Sequence, residues 1–247
     1  MSPMIPAESN AAHWPPAQTI FPLSAVKVNV LDGPHPFLVD AADAIAENWE
    51  REVAANPHLF NGEMVLNRAI HIEDGVIRTA AYLAPFSSFL YWRKTRPLDK
   101  ALHLAVLPVI LSADGAVIAV RMAQHTANPG KVYCASGSLD RHDIVDGRCD
   151  IMGNMRREVL EETGLDLDAS EAEAGFFGRH EQGAVLVARC YRFAEDAQTI
   201  LDRVGAHIAA EAQSEIDGAV AIRDADPARH DYASFMPQVI GWALGQR

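Results

Sequence analysis

Three glutamates near the middle of the chain have the residue type and spacing needed to hold divalent cations. Glu158, Glu161 and Glu162 lie in residues 150–163, which the apolar spacing predicts to form a helix ended by Gly164. On that helix the three carboxylates spread over roughly 100° on the side opposite the predicted apolar stripe. Because like charges at this spacing repel, the pattern indicates either a solvated face balanced by arginines or a site for cations.

A cation site of this kind would act through the metal ions that it holds. Three carboxylates repel an anionic substrate unless divalent cations lie between them. Magnesium prefers oxygen ligands and keeps several waters, so a few carboxylates together with substrate phosphates suit it. A cation there polarises phosphoryl oxygens, activates a water and neutralises charge on the leaving group. The pattern therefore favours metal-assisted hydrolysis.

The run REVLEETGL, from Arg157 to Leu165, is similar to the signature of the Nudix hydrolase superfamily and matches it at every fixed position of that run. The resemblance implies an α/β fold, a Nudix-type α/β/α sandwich with a mixed sheet. It also implies a pyrophosphohydrolase that acts on phosphorus-containing acid anhydrides and cleaves a nucleoside diphosphate linked to another group. The cofactor it implies is Mg²⁺, with Mn²⁺ as a substitute.

The resemblance also implies roles for individual residues. Glu158 and Glu162 would bind the metal, and Glu161 would share this task. Arg157 would orient a glutamate through a charge-assisted hydrogen bond, and Gly164 would end the helix in the left-handed conformation. Glu158, Glu161 and Arg157 are therefore also predicted catalytic residues.

Members of the superfamily often draw a further glutamate from a loop outside the signature. The candidates are Glu181, Glu211 and Glu215, each of which is also compatible with an ordinary surface position. Glu215 precedes a predicted strand, as in the later segment of the family, and we predict it as a catalytic residue. A general base must come within about 3 Å of the attacking water, which a sequence does not show.

The upstream half of the signature departs from the family. The usual glycine and glutamate positions are occupied by Asp143 and Cys149. Gly137, which follows a predicted strand, is a better candidate for the glycine, whose carbonyl binds metal in the family. An insertion at residues 140–150 then separates it from the helix, as a solvated loop or as part of the substrate pocket. Asp150 is a candidate replacement for the missing glutamate.

Changes in residue composition and in the pattern of apolar residues along the chain predict three parts. These are an extended N-terminal arm (1–23), a small N-terminal α+β module (24–98) and a Nudix hydrolase domain (99–247). The segments 48–51 and 56–62 of the module resemble the UDP-sugar pyrophosphatase branch, which would let the module recognise a nucleoside or sugar. The basic residues Arg93, Lys94 and Arg96 would then contact phosphates, or they are simply solvated.

The periodicity of apolar residues predicts strands at 24–30, 64–72, 76–83, 102–111, 116–121, 131–134, 183–193 and 216–222. It predicts helices at 37–54, 150–163, 194–213 and 232–244.

Composition narrows the partners. The 247 residues carry a net charge of −12, from 21 basic and 33 acidic residues, which disfavours nucleic acid because long polyanions need a positive track. The longest nearly apolar run, residues 101–111, is too short to span a bilayer. With no secretory signal and three cysteines without paired spacing, we expect a cytoplasmic protein. Its expected partner is a small-molecule nucleoside diphosphate derivative, such as a nucleotide-sugar, and a homodimer is one assembly we consider.

Two other functions stay open at this point. The altered upstream signature is compatible with a ligand sensor or interaction protein that kept the fold and lost catalysis. A third hypothesis is an isomerase of the same fold acting on an isoprenoid diphosphate, which would need a reactive cysteine such as Cys134 or Cys149. The histidines His103, His125 and His180 do not have the spacing of a zinc motif.

Overall fold

The structure is a computed structural model that describes residues 11–245. Residues 1–10 of the predicted N-terminal arm lie outside the described residues. Two compact units alternate along the chain. Unit 1 comprises residues 11–106, 138–151 and 177–187, and unit 2 comprises residues 107–137, 152–176 and 188–245. The domain boundaries at 23 and 98 stay a prediction.

Thirteen strands and six α-helices are present in the described residues. The strands are β1 Phe21–Leu23, β2 Ala25–Val30, β3 Glu63–Glu73, β4 Val76–Pro85, β5 His103–Leu111, β6 Val117–Met122, β7 Val132–Tyr133, β8 Ile144–Val145, β9 Arg148–Cys149, β10 Glu171–Ala172, β11 Phe176–Glu181, β12 Ala184–Arg192 and β13 Ile216–Ile222. The helices are α1 Pro36–Asp40, α2 Ala42–Ala55, α3 Phe86–Thr95, α4 Ile151–Thr163, α5 Ala197–Ala210 and α6 Met236–Ala243.

Unit 1 is built on a mixed sheet with the order β3-β4-β2-β9-β8. The predicted hairpin of β3 and β4 is confirmed, and β2 pairs with β4 in parallel. The single helix predicted over 37–54 is wrong, because the chain leaves helical geometry at Ala41 and forms α1 and α2 instead. The core of this unit includes Phe37, Leu66 and Trp92, each at most 3% exposed.

The insertion at residues 140–150 is not simply a solvated loop. It forms a 3-10 turn, Arg141–Asp143, followed by the antiparallel pair β8–β9, and β9 adds to β2. The side chains of Asp140 and Asp143 cap the turn reciprocally, and Asp143 is 4% exposed. These hydrogen bonds explain how an acidic residue is buried in this segment.

In unit 2, β6 pairs with β13, with β7 and with residues 110–111 of β5, and β10 pairs with residues 191–192 of β12. β13 pairs with β6 in antiparallel register, and α5 packs on β13. The mixed sheets and helices confirm the predicted α/β class. None of the helices in residues 11–245 is both long and apolar enough to cross a membrane.

Candidate metal and catalytic site

Helix α4 carries the three signature glutamates in unequal environments. Glu162 is 8% exposed, the side chain of Glu158 is 12% exposed and that of Glu161 is 60% exposed. Glu162 follows the fully buried Met155 by seven residues, which is about two helical turns, so both lie on the buried stripe. The expectation that all three carboxylates face away from the apolar stripe is therefore wrong for Glu162.

The carboxyl group of Glu162 is buried without full compensation. The backbone N–H of Ser136 donates a hydrogen bond to it, while its Oε2 has no hydrogen-bond partner among the described residues. Burial, together with the negative charges of Glu158, Glu215 and Glu161, raises its pKa to about 8. A buried acceptor with no donor, surrounded by like charges, is an environment that a cation would stabilise.

Glu158 lies between Arg157 and the loop that contains Gly137. Nη1 of Arg157 is 2.7 Å from Oε1 of Glu158. A Cβ atom placed on Gly137 would overlap the Glu158 carboxylate, so a side chain at position 137 would displace that carboxylate. The structure thus brings together Gly137, Arg157 and Glu158, three residues that the sequence predicts to belong to the site.

Glu161 is the outer member of the group. Its Oε2 lies 3.2 Å from Nη1 of Arg157, an exposed i, i+4 pair of the kind that contributes only a few tenths of a kcal/mol. Its backbone carbonyl accepts a hydrogen bond from Nε2 of His207, at 2.8 Å. Helix α4 then ends at Gly164, whose φ of +69° is the predicted left-handed conformation.

Of the three candidate bases, Glu215 is the one whose charge acts on Glu162. Its backbone carbonyl accepts from the N–H of Ala123 at the end of β6, which fixes the segment just before β13. Glu211 lies 3.3 Å from Nε2 of His207, and Glu181 of unit 1 pairs with Arg179 at 2.9 Å. Glu215 therefore belongs to the cluster around α4.

The remaining predicted residues have structural partners in unit 1. Lys94 pairs with Glu52, and Arg96 stacks over Trp92 with its Cζ 4.3 Å from the ring centroid. The backbone N–H of Asp150, just before α4, donates to the carbonyl of Asp143.

Burial and packing also account for two of the cysteines and two of the histidines. Burial raises the pKa of the Cys134 thiol, and it raises that of Cys149 to about 12. Both thiols are therefore protonated at neutral pH, whereas a reactive cysteine needs a thiolate. His103 packs on the Phe89 ring at 4.5 Å between centroids, and the Nε2 of His180 contacts the Pro15 carbonyl at 2.6 Å.

The candidate ligands are not arranged as a complete metal-binding site. Within residues 11–245, no three histidine, cysteine, aspartate or glutamate side chains are grouped so that they could hold a metal ion as they stand. The carboxylate of Glu158 is paired with Arg157. The donor chemistry nevertheless fits a hard divalent cation, because Glu162 presents an unpartnered buried oxygen within a surplus of negative charge.

Sequence reasoning missed two residues of this site. Ser136 contributes a backbone N–H to Glu162, and His207 contributes its ring to the end of α4. Ser136 is adjacent to the predicted Gly137, and this adjacency was the signal that could have identified it. His207 lies 43 positions beyond Gly164, as the numbering shows, and nothing local marks it.

The raised pKa of Glu162 should make the metal-free protein less stable as the pH rises. A carboxyl whose pKa is higher in the folded state holds its proton there, so the free energy of unfolding falls between pH 4.5 and about 8. At ~1.4 kcal/mol per pKa unit, we expect a loss of about 2–4 kcal/mol over this window that Glu162→Gln abolishes. Urea unfolding at about pH 5.5 and about pH 8 measures it.

Glu161→Gln is the matched control for this prediction, since Glu161 is on the same helix but exposed. It should keep most of the pH dependence of the wild type, because the charge of Glu161 is the smallest of the effects that raise the pKa of Glu162. Equal losses in the wild type and in Glu162→Gln would contradict a raised pKa at Glu162.

The chain is similar to several solved structures. They include the MutT protein from Methanosarcina mazei Go1 (14% identity, TM-score 0.39, covering 59% of this chain and 94% of that one). A second is DR0079 from Deinococcus radiodurans (11% identity, TM-score 0.38, covering 57% of this chain and 82% of that one). A third is the Nudix hydrolase RenU from M. smegmatis (12% identity, TM-score 0.36, covering 58% of this chain and 81% of that one).

No model of a known protein family matches the chain, and no match was found among curated proteins. Because these identities do not exceed 14% and the TM-scores do not exceed 0.39, the structural similarities carry no weight for function. The signature helix and the geometry around it are the features of this chain that bear on its function.

Proposed function

We propose that this chain is a Nudix-type pyrophosphohydrolase that depends on a divalent metal and cleaves the diphosphate of a nucleoside diphosphate linked to another group. One observation carries the proposal: Glu162, in the REVLEETGL helix, is buried with an unpartnered oxygen and a pKa raised toward neutrality by nearby carboxylates. A structural helix would gain nothing from this arrangement, since burying an uncompensated carboxyl destabilises the fold. Perturbed carboxyl groups of this kind concentrate at functional sites.

In this mechanism Glu158 and Glu162 would hold Mg²⁺ or Mn²⁺, with Glu161 and the Gly137 carbonyl as additional ligands. When bound, such a cation would polarise the phosphoryl oxygens and make a nearby water more acidic. Arg157, 2.7 Å from Glu158, keeps that carboxylate oriented. Glu215 accepts a proton from the attacking water, whose oxygen forms a bond to phosphorus as the bridging P–O bond breaks.

Substrate and setting are also part of the proposal. The net charge of −12 favours a small, metal-neutralised diphosphate over a nucleic acid. A nucleotide-sugar is the substrate class that we propose, in keeping with the resemblance of the N-terminal segments. We further propose a cytoplasmic enzyme, with no membrane partner and with a homodimer as its assembly.

Both alternative functions make different chemical demands. An isoprenoid diphosphate isomerase needs a reactive thiolate, and burial raises the pKa of both cysteines named for that role. A catalytically silent sensor would bind a ligand without turnover. The full set of acidic residues around Glu162 favours an enzyme over the sensor.

A hydrolysis assay tests the proposal. Purified protein is incubated with Mg²⁺ and a panel of nucleotide-sugars, dinucleotides and coenzyme A, and release of nucleoside monophosphate is followed. We expect product from at least one compound, with dependence on the metal shown by chelation. Tight binding of a ligand without turnover on any compound would contradict the enzyme and favour the sensor.

A further inference from the structure

The C-terminal turn of α4 is held by a side chain from α5. Nε2 of His207 lies 2.8 Å from the backbone carbonyl oxygen of Glu161 and 3.3 Å from Oε1 of Glu211. The last four carbonyls of an α-helix have no partner within the helix, and that of Glu161 is one of them because α4 ends at Thr163. With its proton on Nε2, His207 supplies the missing donor.

The imidazole ring also rests directly on the end of the helix. A Cβ atom built on Gly164 would lie 2.8 Å from Nδ1 of His207, closer than real Cβ atoms approach. Two features therefore favour glycine at position 164: its positive φ, and the imidazole ring packed against it. The last turn of α4, which carries Glu161 and Glu162, is thus fixed by packing as well as by a hydrogen bond.

His207 lies on a helix that is itself fixed in the fold. It belongs to α5, which packs on β13. Its second contact, Glu211, is the residue at which α5 ends. The side chain of His207 therefore joins the last turn of α4 to the C-terminal end of α5.

We propose that His207 is a positioning residue of the metal site, which holds the last turn of α4 so that Glu162 and Glu161 face the cation together. The inference rests on the proposed function, because it concerns the same site. His207 acts through the backbone of Glu161 and contacts neither substrate nor metal. Partners of this kind, which orient ligands, typically change metal affinity or activity by about 10–100-fold when they are removed.

The experiment compares His207→Ala, His207→Gln and Arg203→Gln. Glutamine retains a side-chain N–H donor, so His207→Gln tests rescue. Arg203, in an exposed ion pair with Glu195 on the same helix, provides the matched control. Two properties are measured: amide hydrogen exchange of Gly164, whose N–H donates to Leu160, in the metal-free protein, and Mn²⁺ affinity by electron paramagnetic resonance.

We expect His207→Ala to speed exchange at Gly164 and to weaken Mn²⁺ binding, each by about 10-fold. His207→Gln should recover most of both losses, and Arg203→Gln should match the wild type. Wild-type exchange and wild-type Mn²⁺ affinity in His207→Ala would overturn the positioning role. Faster exchange with unchanged Mn²⁺ affinity would show a purely structural contact and would also overturn it. Absence of Mn²⁺ binding in the wild type itself would instead refute the proposed function, and with it this inference.

Discussion

Glu162→Gln is expected to lower kcat/KM for the best diphosphate substrate by at least about 1,000-fold, equivalent to ~4 kcal/mol of transition-state stabilisation. Glutamine keeps the size of the side chain and the hydrogen bond from Ser136 but removes the charge that would face the cation. The same substitution removes a buried carboxyl, so the metal-free variant should be at least as stable as the wild type at about pH 8. Steady-state kinetics over a range of Mg²⁺ concentrations, together with urea unfolding, measure both effects.

If Glu162→Gln raises the free energy of unfolding and lowers the activity, Glu162 has a functional role and not a structural one. A structural glutamate would lose stability when it is neutralised. Glu161→Gln is the graded comparison, because that side chain is 60% exposed; we expect it to lower activity by only about 10-fold. Undiminished turnover in Glu162→Gln would refute the metal assignment.

Glu215→Gln is expected to lower kcat by about 100- to 10,000-fold, the range typical of removing a general base. KM for the substrate should change little, since Glu215 acts on the water. The loss should be present across the pH range, because glutamine cannot accept the proton. Initial rates between about pH 5 and about pH 10 at saturating Mg²⁺ provide the measurement.

Asp217→Asn is the matched control for Glu215→Gln. Asp217 lies two residues further along, at the start of β13, and forms an exposed ion pair with Arg121. This variant should retain the activity and the pH profile of the wild type. Undiminished rates across the pH range in Glu215→Gln would place the general base elsewhere.

Local signals in the sequence predicted much of the fold. The strand at Ile216–Ile222 and the hairpin of β3 and β4 were predicted closely, because alternating apolar residues and a Glu-Asp-Gly turn mark them. Asp146-Gly147 is a comparable signal that went unused. Both residues have positive φ, 49° and 73°, and they connect β8 to β9.

Other elements depend on tertiary packing and were missed. Helix α3 begins after Pro85 with no side-chain cap, and its buried Trp92 donates to the carbonyl of Ala101 rather than following a clear apolar stripe. Strand β11 contains Arg179, which is 6% exposed because it pairs with Glu181. Patterns of residue type underestimate a strand when a buried charge interrupts it.

The sequence predicted which residues belong to the candidate site better than it predicted their burial and contacts. Spacing located the three glutamates, and their resemblance to a family signature identified Arg157 and Gly137. Burial of Glu162 beside Ser136 could not be inferred, since it depends on how α4 rotates over the neighbouring chain. The contact of His207 with the end of α4 likewise arises only in the folded chain.

The most direct test is a crystal of the protein soaked with Mn²⁺ and examined by anomalous scattering. If the acidic turn binds a catalytic cation, a peak will lie about 2.0–2.3 Å from carboxylate oxygens of Glu158 and Glu162, with Oε2 of Glu162 no longer without a partner. If saturating Mn²⁺ leaves these carboxylates without a peak, the turn is not a metal site and the account is wrong.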